Sequence, residues 1–196
     1  MKGKTLILHR HSDKTPNNHI STEGRMKAKQ WGKLYDRFLG AESVSHVFFG
    51  PLIRTGETAY ATISGRFAFD QATIHNPVDG LGSNELFAEM ITDEVRRLIK
   101  EGNFSNLDAV IAGHNDDELK SYVTMGQQAL IEMFDAMQDG ELGIGFFHDP
   151  TIPLLARSLG LDDARSLDSM EPIAFAMYNN DGLTVITAYW PTCFEK

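Results

Sequence analysis

Leu6-Ile7-Leu8-His9-Arg10-His11-Ser12 is an apolar, β-type run that ends in an Arg-His pair and gives way to the turn-forming residues Asp13 to Asn18. It reads as a buried strand delivering a guanidinium and an imidazole to one place. Open α/β sheets collect ligands at the carboxyl ends of their strands. An arginine beside a histidine suits an anion better than a metal ion, because guanidinium N–H groups match the oxygens of phosphate or carboxylate. Phosphate is the anion this predicts.

Outward from this strand, strand-like and helix-like segments alternate, the pattern of crossover units on a mainly parallel central sheet in a three-layer α/β/α fold. Ala28, Trp31, Tyr35 and Phe38 recur at helical steps and predict a helix over 21–39. A strand is expected at 44–49, closed by Gly50-Pro51, then a helix over 52–63 and another over 92–100. Leu107 to Ala112 reads as a buried strand or core segment. A long helix follows over 116–137 through Leu119, Val123, Leu130 and Phe134, with Met125, Met133 and Met137 expected in its core face. Leu142 to Phe147 is a further strand that also ends in a histidine, His148, which opens a helix carrying Ile152, Leu155, Ala156 and Leu159. Two runs, 173–177 and 183–188, flank Asn179-Asn180-Asp181-Gly182, a hairpin turn signal.

The 196 residues show no linker or composition shift, so one domain is expected over 1–196. Hydrophobic residues at 42% and charged residues at 23% are ordinary for a globular protein. No apolar run approaches the ~20 residues that span a bilayer. The four apolar or polar residues between Lys4 and His9 are too few for a signal peptide core. A cytoplasmic protein without a membrane partner is the expectation. A net charge of −9 without basic runs disfavours nucleic acid. An acidic chain that binds phosphate must concentrate a few arginines locally, which directs attention to Arg10 and Arg54. Cys193, alone and near the carboxyl end, is read as structurally bland.

Two strand ends look alike, at His11 and at His148. Neighbouring parallel strands would set both imidazoles on one edge of the sheet. Gly50-Pro51-Leu52-Ile53-Arg54-Thr55-Gly56-Glu57-Thr58-Ala59 follows a third strand, so Arg54 belongs at that edge too, near a helix amino terminus whose free amides favour anions. Two arginines and two histidines then converge, and such a pocket supplies the positive donors that a phosphoryl group needs while passing to a nitrogen nucleophile.

Over nearly its whole length the chain resembles the histidine phosphatase superfamily, the phosphoglycerate-mutase-like and acid-phosphatase-like enzymes. The Arg-His-Gly motif of that family corresponds to Arg10-His11-Ser12, with Asn17 six residues beyond the nucleophile position. Its Leu-Thr-x-x-Gly element corresponds to Ile20-Ser21-Thr22-Glu23-Gly24, followed by Lys27-Ala28 where Gln-Ala is usual. Its Ser-Pro-Leu-x-Arg-x-x-x-Thr-Ala element corresponds to Gly50 through Ala59. Two segments compete for the second histidine, because Ala112-Gly113-His114-Asn115 resembles the family's late Gly-His-Asn. Only 29 residues separate Glu85 from His114, too few for the helix that family members place there, whereas 63 separate it from His148. His148-Asp149-Pro150-Thr151-Ile152 also resembles the acid-phosphatase element His-Asp-x-Thr-Ile, and His148 is preferred.

The resemblance implies a phosphoglycerate-mutase-like fold and a phosphatase that hydrolyses a small phosphorylated substrate through a phosphohistidine on His11, with no metal and no cofactor. Arg10, Arg54 and His148 would hold the phosphoryl oxygens with Asn17 as helper. The proton donor is Glu85, as in the mutase-like branch, or Asp149, as in the acid phosphatases. Asp149 is also placed to cap the helix after it. Two departures matter. Ser12 replaces a glycine, which predicts a strained or reshaped loop if the position requires a positive φ. Lys14 stands where acid phosphatases carry arginine, keeping the charge and losing the bidentate fork.

Other functions are weighed against this one: a phosphoglycerate-type mutase, a phosphohistidine-protein phosphatase, a binding protein in which Ser12 has cost catalysis, and a metal-dependent hydrolase built on His9-x-His11. A (β/α)₈ barrel, the usual home of such His-x-His pairs, takes about 250 residues, more than this chain has. His9, His19, His46 and His75 are read as surface or packing residues.

Overall fold

The structure is a computed structural model that describes residues 3–39, 42–102, 104–180 and 183–192. Its centre is a six-stranded sheet built from β1 (Lys4–Arg10), β2 (His46–Phe49), β3 (Thr73–Ile74), β4 (Leu142–Phe147), β5 (Pro172–Asn180) and β6 (Leu183–Tyr189), in the order β3-β2-β4-β1-β5-β6. The first four strands are mutually parallel where they pair, and β5 runs against both β1 and β6. The sheet is mainly parallel, as the alternating pattern predicts.

Helices cover both of its faces. Ile7, Val47, Ile144 and Phe146 pack against α1 (Thr22–Leu39) and α2 (Ile53–Ile63) through Ala28, Tyr35, Ala59 and Ala61. Leu6, Leu8 and Phe48 point the other way, toward Leu130, Met133 and Phe134 of α6 (Asp116–Asp135) and Ile152 and Leu155 of α7 (Thr151–Ser158). Alternate residues of one strand thus enter different cores, which is why the centre of β1, Leu6-Ile7-Leu8, is continuously apolar instead of alternating. A satellite cluster of α3 (Asn84–Met90), α4 (Asp93–Lys100) and α5 (Asn106–Gly113) packs Leu86, Val95, Leu107 and Val110 against Tyr122 and Leu154.

Three expectations are corrected here. Leu107 to Ala112 is a core segment, with Leu107, Ala109 and Val110 buried, but it is a helix and not the alternative strand: Ser105 Oγ accepts from Asp108 N at 3.2 Å and starts α5. Asn115 then closes a capping box with Glu118 at the start of α6. His114 therefore lies between two helices, away from any strand end, with Nδ1 2.9 Å from Val110 O. Asp149 does not cap α7, because its carboxylate turns back to Ser166 and Leu167. Met125 is 45% exposed while Met133 and Met137 are in the core. β3, α3 and a 3-10 turn at Phe67–Phe69 were not signalled by periodicity, being too short to show it. Asp181 and Gly182 of the hairpin signal, and Cys193, lie outside the described residues. Among the described residues no helix is long and apolar enough to cross a membrane.

Candidate active site

Register brings the two histidines together. Arg10 of β1 pairs with Phe147 of β4, and His11 N donates to Phe147 O at 2.9 Å, so His11 and His148 step off adjacent parallel strands at the same level. Their ring centroids are 5.0 Å apart, in an edge-on arrangement. Arg54, in the first turn of α2, reaches between them: Nε donates to His11 Nε2 at 3.0 Å, and Nη2 lies 3.4 Å from His148 Nδ1.

The proton positions follow from the partners. A carbonyl only accepts, so His11 Nδ1, 2.7 Å from Ser12 O, carries the ring proton and Nε2 keeps its lone pair. Burial, together with the charges of Arg54, Arg10 and Lys14, holds the His11 pKa down at about 3. Burial and the neighbouring His11 and Arg54 push His148 well below its ordinary value. Arg54 and Lys14 are lowered for related reasons, burial first and then other cations nearby. Three positive side chains crowded into a chain of net charge −9 form a site whose electrostatics call for an anion.

A cleft of about 310 Å³ opens over this group, lined by Arg10, His11, Ser12, Asp13, Lys14, Arg54, Asn106, Asp149 and Ser169. Arg10 Nη1 donates to Leu167 O, which fixes the guanidinium against the loop preceding β5. Asp149 is buried. Oδ1 accepts from Leu167 N at 2.7 Å and Oδ2 from the Ser166 hydroxyl at 2.6 Å, yet burial outweighs these bonds and raises its pKa. It is a carboxyl group poised to hold a proton beside a cluster of cations.

The short elements quoted from the sequence all pack on the loop after β1. Thr58, one turn after Arg54, donates its hydroxyl to Arg54 O at 2.7 Å and accepts from Ser12 N at 3.1 Å, tying α2 to the His11 loop. Ser21 caps α1 by accepting from Gly24 N at 2.9 Å, and its own amide donates to Asp13 O at 2.8 Å. A Cβ on Gly24 would stand 2.3 Å from Asp13 O, so only glycine fits there. Gly82 has φ +115°, and a Cβ would meet the His148 ring at 2.1 Å; its bare backbone holds that imidazole in place.

Several expected members are elsewhere. Asn17 is exposed and outside the cleft lining. Its neighbour Asn18, with φ 64°, is the residue whose Oδ1 lies 3.5 Å from Arg54 Nη1 and 3.2 Å from Lys14 Nζ. Glu85 is exposed on α3 and does not line the cleft. His148 abuts the cleft through Arg54 and His11 without lining it. Gly50 to Ile53, at the start of α2, line a separate cleft with Arg25 and Tyr60, so of that segment Arg54 alone lines the His11 cleft, while Thr58 supports its loop. Sequence reasoning missed Asn106 and Ser169, which come from segments with no motif. Asn18 carried a signal, since asparagine tolerates the left-handed conformation that the turn uses.

His9 is no partner of His11. Its Nδ1 donates to Met170 O at 2.7 Å and its Nε2 accepts from the Tyr35 hydroxyl at 2.6 Å, inside the α1 core. Burial holds its pKa at about 4 against 6.5 for an exposed ring. The unfolded chain takes up this proton near pH 6.5 and the folded chain only near pH 4, so stability falls as pH is lowered across that interval. The full loss from His9 is about 3 kcal/mol. Urea denaturation at pH 7 and pH 4 checks this, and His9→Gln should shallow the fall; an unchanged slope in that variant contradicts it.

Ser12 is not strained. It is absent from the positive-φ residues, and its buried hydroxyl donates to Gly24 O at 2.7 Å. Ser12→Gly is expected to destabilise by about 1–2 kcal/mol, through the lost hydrogen bond and added chain entropy, without raising kcat. Chemical denaturation and steady-state rates on the same preparation check both halves.

No family profile matches the sequence, and no curated protein matches it. Solved structures do match. The phosphoglycerate mutase of Bacillus anthracis superposes with a TM-score of 0.65 at 13% identity, over 96% of this chain and 93% of its own. This chain has the phosphoglycerate mutase fold. The phosphoserine phosphatase of Entamoeba histolytica, solved with 3-phosphoglyceric acid, matches at TM-score 0.55 and 16% identity over 96% of this chain and 98% of its own. The alpha-ribazole phosphatase of Shigella flexneri matches at 0.55 and 14%, over 95% and 96%. Within the phosphoglycerate mutase fold, the His11 cleft lies at the carboxyl edge of the parallel strands, where open α/β sheets bind ligands.

Proposed function

We propose that this protein is a phosphomonoesterase of the histidine phosphatase superfamily, working through a phosphohistidine on His11. The observation that carries the reading is the state of that imidazole. Nδ1 is committed to Ser12 O, and Nε2 holds a lone pair beside Arg54 at the floor of a cationic cleft. The arriving phosphate takes over the Arg54 donor, and Arg10, Arg54 and Lys14 bear on its oxygens. His148 and Asn18 act as positioning residues that keep Arg54 turned to the cleft.

Nε2 then attacks phosphorus while the P–O bond to the leaving group breaks, and Asp149 delivers its proton to the departing oxygen. Asp149 is preferred to Glu85 because it is buried with a raised pKa in the cleft lining, whereas Glu85 is exposed. Water attacks the phosphohistidine next, giving its proton to the Asp149 carboxylate and returning His11 to its starting state. No step is assigned to a metal or a cofactor. The relaxed backbone at Ser12 removes the motive for a binding-only protein, and the separate surroundings of His9 remove the motive for a His-x-His metal pair.

The test is a rapid denaturing quench with a radiolabelled phosphomonoester in the presence of chelator. A phosphoryl adduct that survives base, is lost in acid and maps to His11 is expected. Turnover without such an adduct, or no turnover across a broad phosphomonoester panel, refutes the assignment.

A further inference from the structure

Beside the His11 cleft lies a larger one, about 630 Å³, whose walls include Trp31, Trp190, Arg165 and Asp168. The two share Ser169. Both stand at the same sheet edge. β5 runs against β1 with Pro172 opposite His9, so the loop leading into β5 sits at the carboxyl end of β1, and Tyr189 at the end of β6 pairs with Ala174 close by.

We propose that this second cleft receives the leaving group of the phosphomonoester, and that the group it selects is a flat ring bearing no negative charge. The proposal rests on the phosphatase reading above.

Three observations carry it. The first is shape: two indoles line one cleft, and the Arg165 guanidinium lies 5.1 Å from the Trp190 ring centroid, so planar surfaces are on offer on which a ring can stack. The second is charge. Arg165 Nη1 donates to Glu171 Oε2 at 2.8 Å, and Asp168 and Asp163 also act on the same guanidinium, so one cation faces three carboxylates. Asp163 further accepts from Trp190 Nε1 at 3.1 Å. Lys27, the other cation of the wall, is paired with Asp13 at 3.5 Å. The His11 cleft is positive and its neighbour negative. A phosphomonoester with a second anion at its far end would bring that anion to the carboxylates, whereas a neutral or cationic ring would not. The third is the seam itself: Ser169 Oγ is buried with no hydrogen-bond partner among the described residues. A buried hydroxyl left unsatisfied is costly. Rotation of its side chain toward the seam lets it bond a ligand that bridges the two clefts.

The experiment compares benzyl phosphate, 4-carboxybenzyl phosphate and glycerol 1-phosphate, whose leaving groups are all alkoxides. Benzyl phosphate is expected to exceed each of the other two by about tenfold in kcat/KM. Trp190→Ala should erase the preference for benzyl over glycerol phosphate through KM, and Trp190→Phe should keep most of it. Equal rates for benzyl and 4-carboxybenzyl phosphate, or a preference unchanged by Trp190→Ala, overturn the proposal. If no ester turns over, the phosphatase reading has failed, and the cleft is judged by binding alone. Benzylphosphonate should then raise Tm more than methylphosphonate does, with the difference lost in Trp190→Ala; equal shifts overturn the proposal on that route too.

Discussion

His11→Ala lowers phosphomonoester turnover by on the order of 10⁵-fold and leaves no phosphoryl label on the protein. The magnitude is large because one atom, Nε2, is the assigned nucleophile, held at the floor of the cleft where Arg54 Nε donates to it at 3.0 Å. Arg10, Lys14 and Arg54 remain in this variant. Inorganic phosphate should therefore still bind and raise Tm, which separates loss of the nucleophile from loss of the fold. The measurement is turnover, label and phosphate-dependent melting on wild type and variant side by side. Turnover in His11→Ala within tenfold of wild type would sink the mechanism, since a remaining water reaction cannot approach the covalent route.

Asp149→Asn should produce the second large effect, and the effect should depend on the substrate. General acid catalysis contributes about 10²–10⁴-fold when the leaving oxygen is strongly basic. Alkyl phosphates should therefore lose that much in kcat/KM, while aryl phosphates with acidic phenols, which depart without a proton, lose little. The pH dependence has a defined sign. His11 must be neutral, and its pKa of about 3 keeps it so across the acid range. Asp149 must be protonated, and burial raises its pKa, so kcat/KM for an alkyl phosphate falls as pH rises through that raised value. In Asp149→Asn this alkaline fall disappears beyond whatever the substrate's own ionisation imposes. On the acid side, loss of stability from neutral buried His9 intervenes before His11 protonates. Equal losses for alkyl and aryl esters would take the proton-donor role away from Asp149.

Much of this molecule was legible residue by residue. The unbroken apolar run of β1 announced a strand covered on both faces, and the helical spacing of Ala28, Trp31 and Tyr35 announced α1. The turn after β1, the Arg54 element and the strand ending at His148 were readable as parts of one anion site because each is a local pattern, a strand end or a helix start, that the chain writes within a few residues. Tertiary structure decided what those patterns left open. Ser105 and Asn115 made helices on either side of His114, where the apolar composition of Leu107 to Ala112 suited a strand equally well. Asp149 accepts from Ser166 and Leu167, 17 and 18 residues away, and this pulls its carboxyl from the start of α7 into the cleft. Arg54 meets His148 across 94 residues, and Ser169 joins the His11 cleft to a second cleft whose walls come from α1, the β5 loop and the end of β6. Periodicity and capping act over one or two turns of chain, so composition and spacing encode them. Which carboxylate, asparagine or indole reaches the site is set by strand register and by loops packed against distant loops, contacts that leave no mark on the local sequence.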